Sequence, residues 1–169
     1  MIMTKGLCAA AACLAALSAA SARADNVITT HRLSAALAAE AVTEAVAACA
    51  KQGYKEAAVV VDADGLEQAA LRGDGASALT LGVSRDKAYT AMTLGANRDQ
   101  SSGDVAKRLA TASPAGLAKA PHVILAQGGL LIKFGNEVIA AIGAGGAPGG
   151  DLDDACAKAG IDKISDRLK

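Results

Sequence analysis

The chain has 169 residues and equal numbers of basic and acidic side chains, 17 of each, so its formal net charge is zero. Tyr54, Tyr89 and Phe134 are its only aromatics, and with no basic run or stacking platform among them, nucleic-acid binding is excluded. Beyond the leader, no stretch is long and apolar enough to span a bilayer.

The first 24 residues read as a secretory signal peptide. Lys5 supplies the positive start, Leu7–Leu17 the short apolar run, and Ala22-Arg23-Ala24 the cleavage site before Asp25. Cys8 and Cys13 leave with it, and neither follows a lipobox. The product is expected in the periplasm or secreted. It is one domain by length, with 15 basic side chains left against 17 acidic once Lys5 and Arg23 are gone. Residues 25–32 are a polar leader and 33–169 the domain. Of the cysteines only Cys49 and Cys156 remain. An oxidising compartment permits a disulfide between them. Two are too few and too far apart for a paired-cysteine metal site, so no metal is expected.

Leu33–Gln52 is the clearest helix. Leu37, Ala38, Ala41, Val42, Ala45, Val46 and Cys49 cover one side, and Gly53 stops it. Ala57–Asp62 is a Val-rich buried strand, Asp64-Gly65 a tight turn, and Leu66–Leu71 the returning strand. A second helix runs from about Ser77 to Ala96. Its small face (Ser84, Ala88, Ala91, Gly95) admits a closely approaching backbone. Ser101 or Ser102 caps a further helix over Val105–Ala110, and Pro114 and Pro121 bracket an irregular connection.

Val123–Ala126, Leu130–Phe134 and Val138–Ile142 read as a three-stranded meander, turned by Gln127-Gly128-Gly129 and by Gly135-Asn136. With the earlier hairpin this gives about five antiparallel strands flanked by helices. The class is α+β, because strands pair through hairpins with no helix between them. Gly143–Gly150 then carries five of the chain's 18 glycines, ahead of a helix that opens on Asp151, Asp153 and Asp154 and ends at Gly160.

That glycine loop suggests a phosphate cradle, since helix N-termini attract anions. The three aspartates occupy the same positive end and would repel a phosphate. No Lys-Ser/Thr follows the glycines, as a P-loop requires. A tight structural turn, or a glycine floor for an apolar or weakly anionic ligand, is left. His31 and His122 are the histidines of the mature chain, too few for a zinc site. Each is placed to serve either as an axial haem ligand or as an ordinary end-cap residue. Lys87, among Val83, Thr90 and Leu94, suits a snorkelling stem or a cation awaiting a carboxylate. Ser84 and Ser113 lack a nucleophile elbow, so a hydrolase has little support. Cys49 and Cys156 each lie on an apolar helix stripe, and either a bridge or two buried thiols satisfies that pattern.

Several segments together carry a resemblance. Gln52-Gly53-Tyr54 before AAVVVDADG, RDKAYTA at Arg85–Ala91, GGLLIKFGNEVIAAIGAGGAPGG at Gly128–Gly150 and DDACAKAGI at Asp153–Ile161 resemble the GlcG/HbpS family. The likeness runs from about Leu33 to Ile164. It implies a profilin-like domain, assembly as a homo-oligomer, and binding of haem or a related tetrapyrrole. Exported relatives tend to carry Pro-His ahead of the second helix and Trp at the position of Tyr89. Here Gly75-Ala76-Ser77-Ala78 stands in the first place. Haem ligation then falls to His31, His122, Tyr89 or Thr90.

Three functions follow as expectations. The first is an exported haem-binding or haem-sensing protein. The second is an enzyme acting on haem or on a small hydroxy acid, with Lys87 holding a carboxylate beside Gly143 and Gly145. The third is an oligomeric interaction module without a small ligand.

Overall fold

The computed structural model describes residues 28–111 and 116–169. The expected signal peptide, Cys8, Cys13, Ser113 and Pro114 lie outside them.

The Val-rich strand β1 (Ala57–Asp62) explains the layering. Ala58 and Val60 belong to a core formed with helices α1 (Ala35–Ala50) and α4 (Gly150–Ile164). Val59 and Val61 face the other way, with Ala88 and Ala91 of helix α2 (Ala78–Thr90) and its continuation. A strand covered on both faces is apolar throughout instead of alternating. The sheet is therefore the middle of three layers, with α1 and α4 on one side and α2 on the other.

Strand β2 (Glu67–Arg72) returns antiparallel to β1. Its turn is set by Asp62, whose Oδ1 accepts from the Asp64 and Leu66 amides at 2.9 Å each, and by Gly65 at φ +81°. Strands β3 (Gly129–Phe134) and β4 (Glu137–Gly145) form the second hairpin around Gly135-Asn136. β4 then pairs with β1, from Ala57 opposite Gly145 to Asp62 opposite Ala140. The order is β2-β1-β4-β3, antiparallel throughout.

The described sheet thus has four strands, not about five. Val123–Ala126 is not a strand, because helix side chains take its backbone groups. The Ile124 amide donates to Thr90 Oγ1 at 2.9 Å, and the Ala126 carbonyl accepts from Ser102 Oγ at 2.7 Å. The fourth helix also runs through Gly160 to Ile164. Gly160 is there for closeness, not as a stop: a Cβ on it would stand 2.4 Å from the Ala41 carbonyl oxygen of α1.

The remaining caps follow local chemistry. Ser34 Oγ accepts from the Leu37 amide at the start of α1. Ser101 and Asp104 exchange hydrogen bonds ahead of α3 (Ser102–Thr111). α2 passes at Ala91–Gly95 into a π-helical turn and then a short 3₁₀ turn, Ala96–Arg98. Cys49 of α1 and Cys156 of α4 are bridged, with Cα atoms 5.6 Å apart and a sequence separation of 107. A bridge closing a loop of that length contributes about 2–4 kcal/mol. Among the described residues, no helix is long and apolar enough to cross a membrane.

Candidate functional site

The glycines of the closing turn admit neighbours, and those neighbours fill the space. A Cβ on Gly143 would stand 2.0 Å from the Ser84 carbonyl oxygen, and one on Gly145 would stand 3.0 Å from Ser84 Oγ. The small face of α2 therefore lies directly on β4. The expected shallow floor over Gly143 and Gly145 is occupied by α2 itself.

Lys87 enters this contact from α2 and is buried. Its Nζ donates to Asp153 Oδ2 at 2.5 Å and to the Ala144 carbonyl at 3.0 Å. Asp153 Oδ1 accepts from the Ala147 amide at 3.0 Å, and Asp154 Oδ1 from the Gly128 amide at 2.8 Å. Two of the three aspartates that excluded a phosphate thus stitch the glycine loop to its own helix and to the start of β3. Burial raises the Asp154 pKa, against the Gly128 amide and Lys87, which lower it. The carboxylate that Lys87 was expected to take from a ligand is supplied by Asp153. Thr90 is likewise committed: its buried hydroxyl donates to the Asp86 carbonyl at 2.8 Å and accepts the Ile124 amide. Ser84 Oγ bonds the Ala57 and Thr80 carbonyls, both at 2.8 Å, and is no free nucleophile.

Glu56, which sequence reasoning passed over, sits beside this pair and is only 1% exposed. Burial, reinforced by the nearby Asp153 charge, pushes its pKa up to about 8. Its Oε2 abuts Cys49 Sγ, and its Oε1 has no hydrogen-bond partner among the described residues. A disulfide sulfur has no hydrogen to give, so any hydrogen bond there is donated by the neutral carboxyl. The available signal was its position, a charged residue adjoining a wholly buried strand.

His122 and Tyr89, far apart in sequence, come together on the outer side of α2. Their ring centroids are 5.9 Å apart in an edge-on arrangement. With Gly65, Leu66, Glu67 and Arg85 they line an open cleft of about 290 Å³. The Tyr89 ring packs within 3.2 Å of where a Cβ on Gly65 would stand. Leu66, at the rim, is 66% exposed. His122 Nδ1 lies 2.8 Å from Arg85 Nη2 and 3.3 Å from Asp86 Oδ1, between a donor and an acceptor. Its backbone is left-handed at φ +64°. Such conformations recur at binding sites that hold a side chain in a fixed direction. Arg85 and Asp86 were legible only as part of RDKAYTA, since nothing in helical spacing marks them.

His31 is held elsewhere. Its Nδ1 lies 2.6 Å from Glu137 Oε2, its amide donates to Glu137 Oε1 at 3.2 Å, and its ring packs 4.5 Å from Phe134. That grip fastens the chain at His31 to the β3–β4 hairpin, and hydrogen bonding to His31 lowers the Glu137 pKa. Leu33, Leu37 and Ile139 complete a smaller cleft of about 230 Å³ there.

A four-stranded antiparallel sheet between a helix pair and a crossing helix, with its last strand turning through a glycine loop into α4, defines an α+β domain of the HbpS and DUF336 type. The family model described as "Haem degrading protein HbpS-like" matches residues 33–162, and the chain belongs to that family. The Streptomyces reticuli HbpS, solved as a double mutant, is 33% identical over 91% of this chain and 97% of its own, with a TM-score of 0.73. ORFY of Klebsiella pneumoniae, solved as a DUF336 protein, is 22% identical over 83% of this chain and 96% of its own, with a TM-score of 0.75. A PduOC:heme complex is 20% identical over 79% of this chain and 96% of its own, with a TM-score of 0.70. Those last two establish the fold alone. Comparison with curated protein sequences gives no significant match.

Proposed function

We propose that this chain is an exported binding protein for haem or a related tetrapyrrole, and that the ligand docks against the Arg85–Tyr89–His122 cleft. The observation that carries this reading is the position of His122 Nδ1 between Arg85 and Asp86. With Nδ1–H directed to Asp86, Nε2 presents a lone pair to a metal, the carboxylate–histidine arrangement found at metal-ligating histidines. Arg85 also donates from Nε and Nη2 to Asp86 Oδ1, at 3.1 and 2.8 Å, and offers its Nη1 to a propionate. Tyr89 and Leu66 give the flat ligand an apolar wall.

The donor set suits haem, and a cleft of about 290 Å³ is at the small end for a ligand site. It fits one face of a tetrapyrrole, not an enclosed one. Bound haem would supply an iron centre, and His122 would hold it and tune its chemistry. The chain's own part is to orient the His122 ring and to balance the propionate charge. The description of the family and the haem-bound PduOC neighbour support this ligand class. The leader and the Cys49–Cys156 bridge support export.

The test is a hemin titration of the mature protein, followed at the Soret band. Wild type is expected to shift the band, His122→Ala to lose most of that shift, and His31→Ala to keep it. A shift that survives in His122→Ala overturns the cleft assignment. No shift in wild type overturns the ligand class.

A further inference from the structure

In the layer between α1 and α4, Cys49, Glu56 and Cys156 are all buried, and one ligand atom from each lies within 4.8 Å of the others. Two further observations make this more than a packing accident. Glu56 Oε1 is buried and has no hydrogen-bond partner among the described residues, although buried polar atoms almost always find one. Glu56 also lines a cavity of about 270 Å³ shared with Val46, Tyr54, Leu71, Arg72 and Asp74, next to the buried cysteines. The sequence marked the two cysteines but hid Glu56, because a lone Glu ahead of a strand gives no sign of burial.

We propose that Cys49, Cys156 and Glu56 form a redox-gated zinc site: closed as a disulfide in the oxidised protein, and a Cys2Glu centre for Zn2+ once reduced. The ligand chemistry selects the ion. Two thiolates favour a borderline-soft metal over calcium or magnesium, and one carboxylate completes three protein ligands. The fourth position of a tetrahedral site is left to water. Cα atoms 5.6 Å apart suit the bridge. Two thiolates sharing one ion need their sulfurs to separate, which rotation about the Cα–Cβ bonds supplies.

The step balances. A dithiol reductant gives two electrons and two protons and closes its own disulfide. The Cys49–Cys156 bond opens to two thiols, and Zn2+ binds the thiolates as both protons leave. Glu56, which holds a proton in the oxidised fold, joins as the carboxylate and releases that proton as a third. A disulfide-bonded oxidant takes up the two electrons and two protons and leaves as a dithiol, which closes the Cys49–Cys156 bridge, expels the ion and lets Glu56 take back its proton. This site does not depend on the reading of the His122 cleft.

The experiment uses the mature protein reduced with a phosphine in the absence of oxygen, with Co2+ as the spectroscopic probe and Zn2+ as its competitor. Reduced wild type is expected to take up one Co2+ per chain with a thiolate-to-cobalt charge-transfer band, bleached by Zn2+. Its melting temperature is expected to rise with Zn2+, while the disulfide-bonded protein takes up no Co2+. Glu56→Gln is expected to bind at least about tenfold more weakly, the lower end of what even a supporting partner of a metal ligand contributes. Absence of the band overturns the proposal, and so does an equal band in Cys156→Ser. Unchanged affinity in Glu56→Gln overturns it too, as does a reduced chain that is unfolded and stays unfolded with Zn2+.

Discussion

Lys87 Nζ stands 2.5 Å from Asp153 Oδ2, and each side chain is only 5% exposed. α2 and α4 lie on opposite faces of the sheet, and this pair joins them around the end of β4. Removing one partner leaves the other charge buried without compensation, which costs about 3–5 kcal/mol. Asp153→Ala is therefore expected to lower stability by that order in urea unfolding. The double variant Lys87→Met/Asp153→Leu is expected to recover much of the loss, since it leaves no lone charge. Equal losses in the two variants would show that the contribution of the pair is packing rather than charge.

That pair also shows what the sequence discloses and what it withholds. The three aspartates after Gly150 were enough to exclude a phosphate, because the sign of the charge at a helix N-terminus is local information. That Asp153 turns inward to Lys87 is tertiary and has no periodic signature. β1, both hairpin turns and the small face of α2 were legible from Val-rich patterning, Asp-Gly, Gly-Asn and the spacing of Ser84, Ala88 and Ala91. Val123–Ala126 misled for a definite reason: its apolar residues suit a strand, but Thr90 and Ser102 satisfy its backbone instead. Tyr89 and His122 could each be singled out by residue type, whereas their meeting beside Arg85 depends on a loop whose path only the fold determines. Glu56 is the instructive omission, since a lone Glu at a strand start looks like a surface residue until its burial is known.

The closeness of α2 and β4 gives a prediction that contrasts two glycines. A Cβ on Gly143 meets the Ser84 carbonyl oxygen at 2.0 Å, whereas one on Gly82, on the same helix as Ser84, meets nothing within 4 Å. Gly143→Ala is expected to destabilise by about 3 kcal/mol or more, because backbone must move. Gly82→Ala is expected to stabilise by about 0.5–1 kcal/mol, through the lower entropy of the unfolded chain and better helix propensity. Thermal unfolding of both variants checks the pair. A well-folded Gly143→Ala with unchanged melting would show that α2 is not seated as described.

Glu56 sets a pH dependence of definite sign in the disulfide-bonded protein. Its pKa stands at about 8 in the fold against 4.5 for the free side chain. Between those values the native state holds a proton that the unfolded chain has released, so this group makes stability fall as pH rises. The slope approaches about 1.4 kcal/mol per pH unit within the window and vanishes outside it. Glu56→Gln, neutral at every pH, is expected to flatten this fall and to be the more stable variant near pH 8. Denaturant midpoints measured from pH 5 to pH 9 decide it. Parallel profiles for wild type and Glu56→Gln would mean that Glu56 is ionised in the fold.

The contact between Asp86 and His122 gives the sharpest test of how the cleft works. Nδ1 of His122 has two partners of opposite kind, Arg85 Nη2 at 2.8 Å and Asp86 Oδ1 at 3.3 Å. Only the second lets Nδ1 keep its proton and free Nε2 for a metal. Asp86→Asn keeps the size of the side chain but removes the charge that favours that tautomer, and with it the added basicity at Nε2. Hemin affinity is expected to drop by about 10–100-fold, the cost of losing such a supporting partner at other metal-ligating histidines. The fold should be spared, because the Asp86 side chain is on the outer side of α2 and is 27% exposed. Soret titration alongside a melting curve separates the two effects. Weaker hemin binding with unchanged melting supports a supporting role for Asp86, and unchanged binding removes Asp86 from the site.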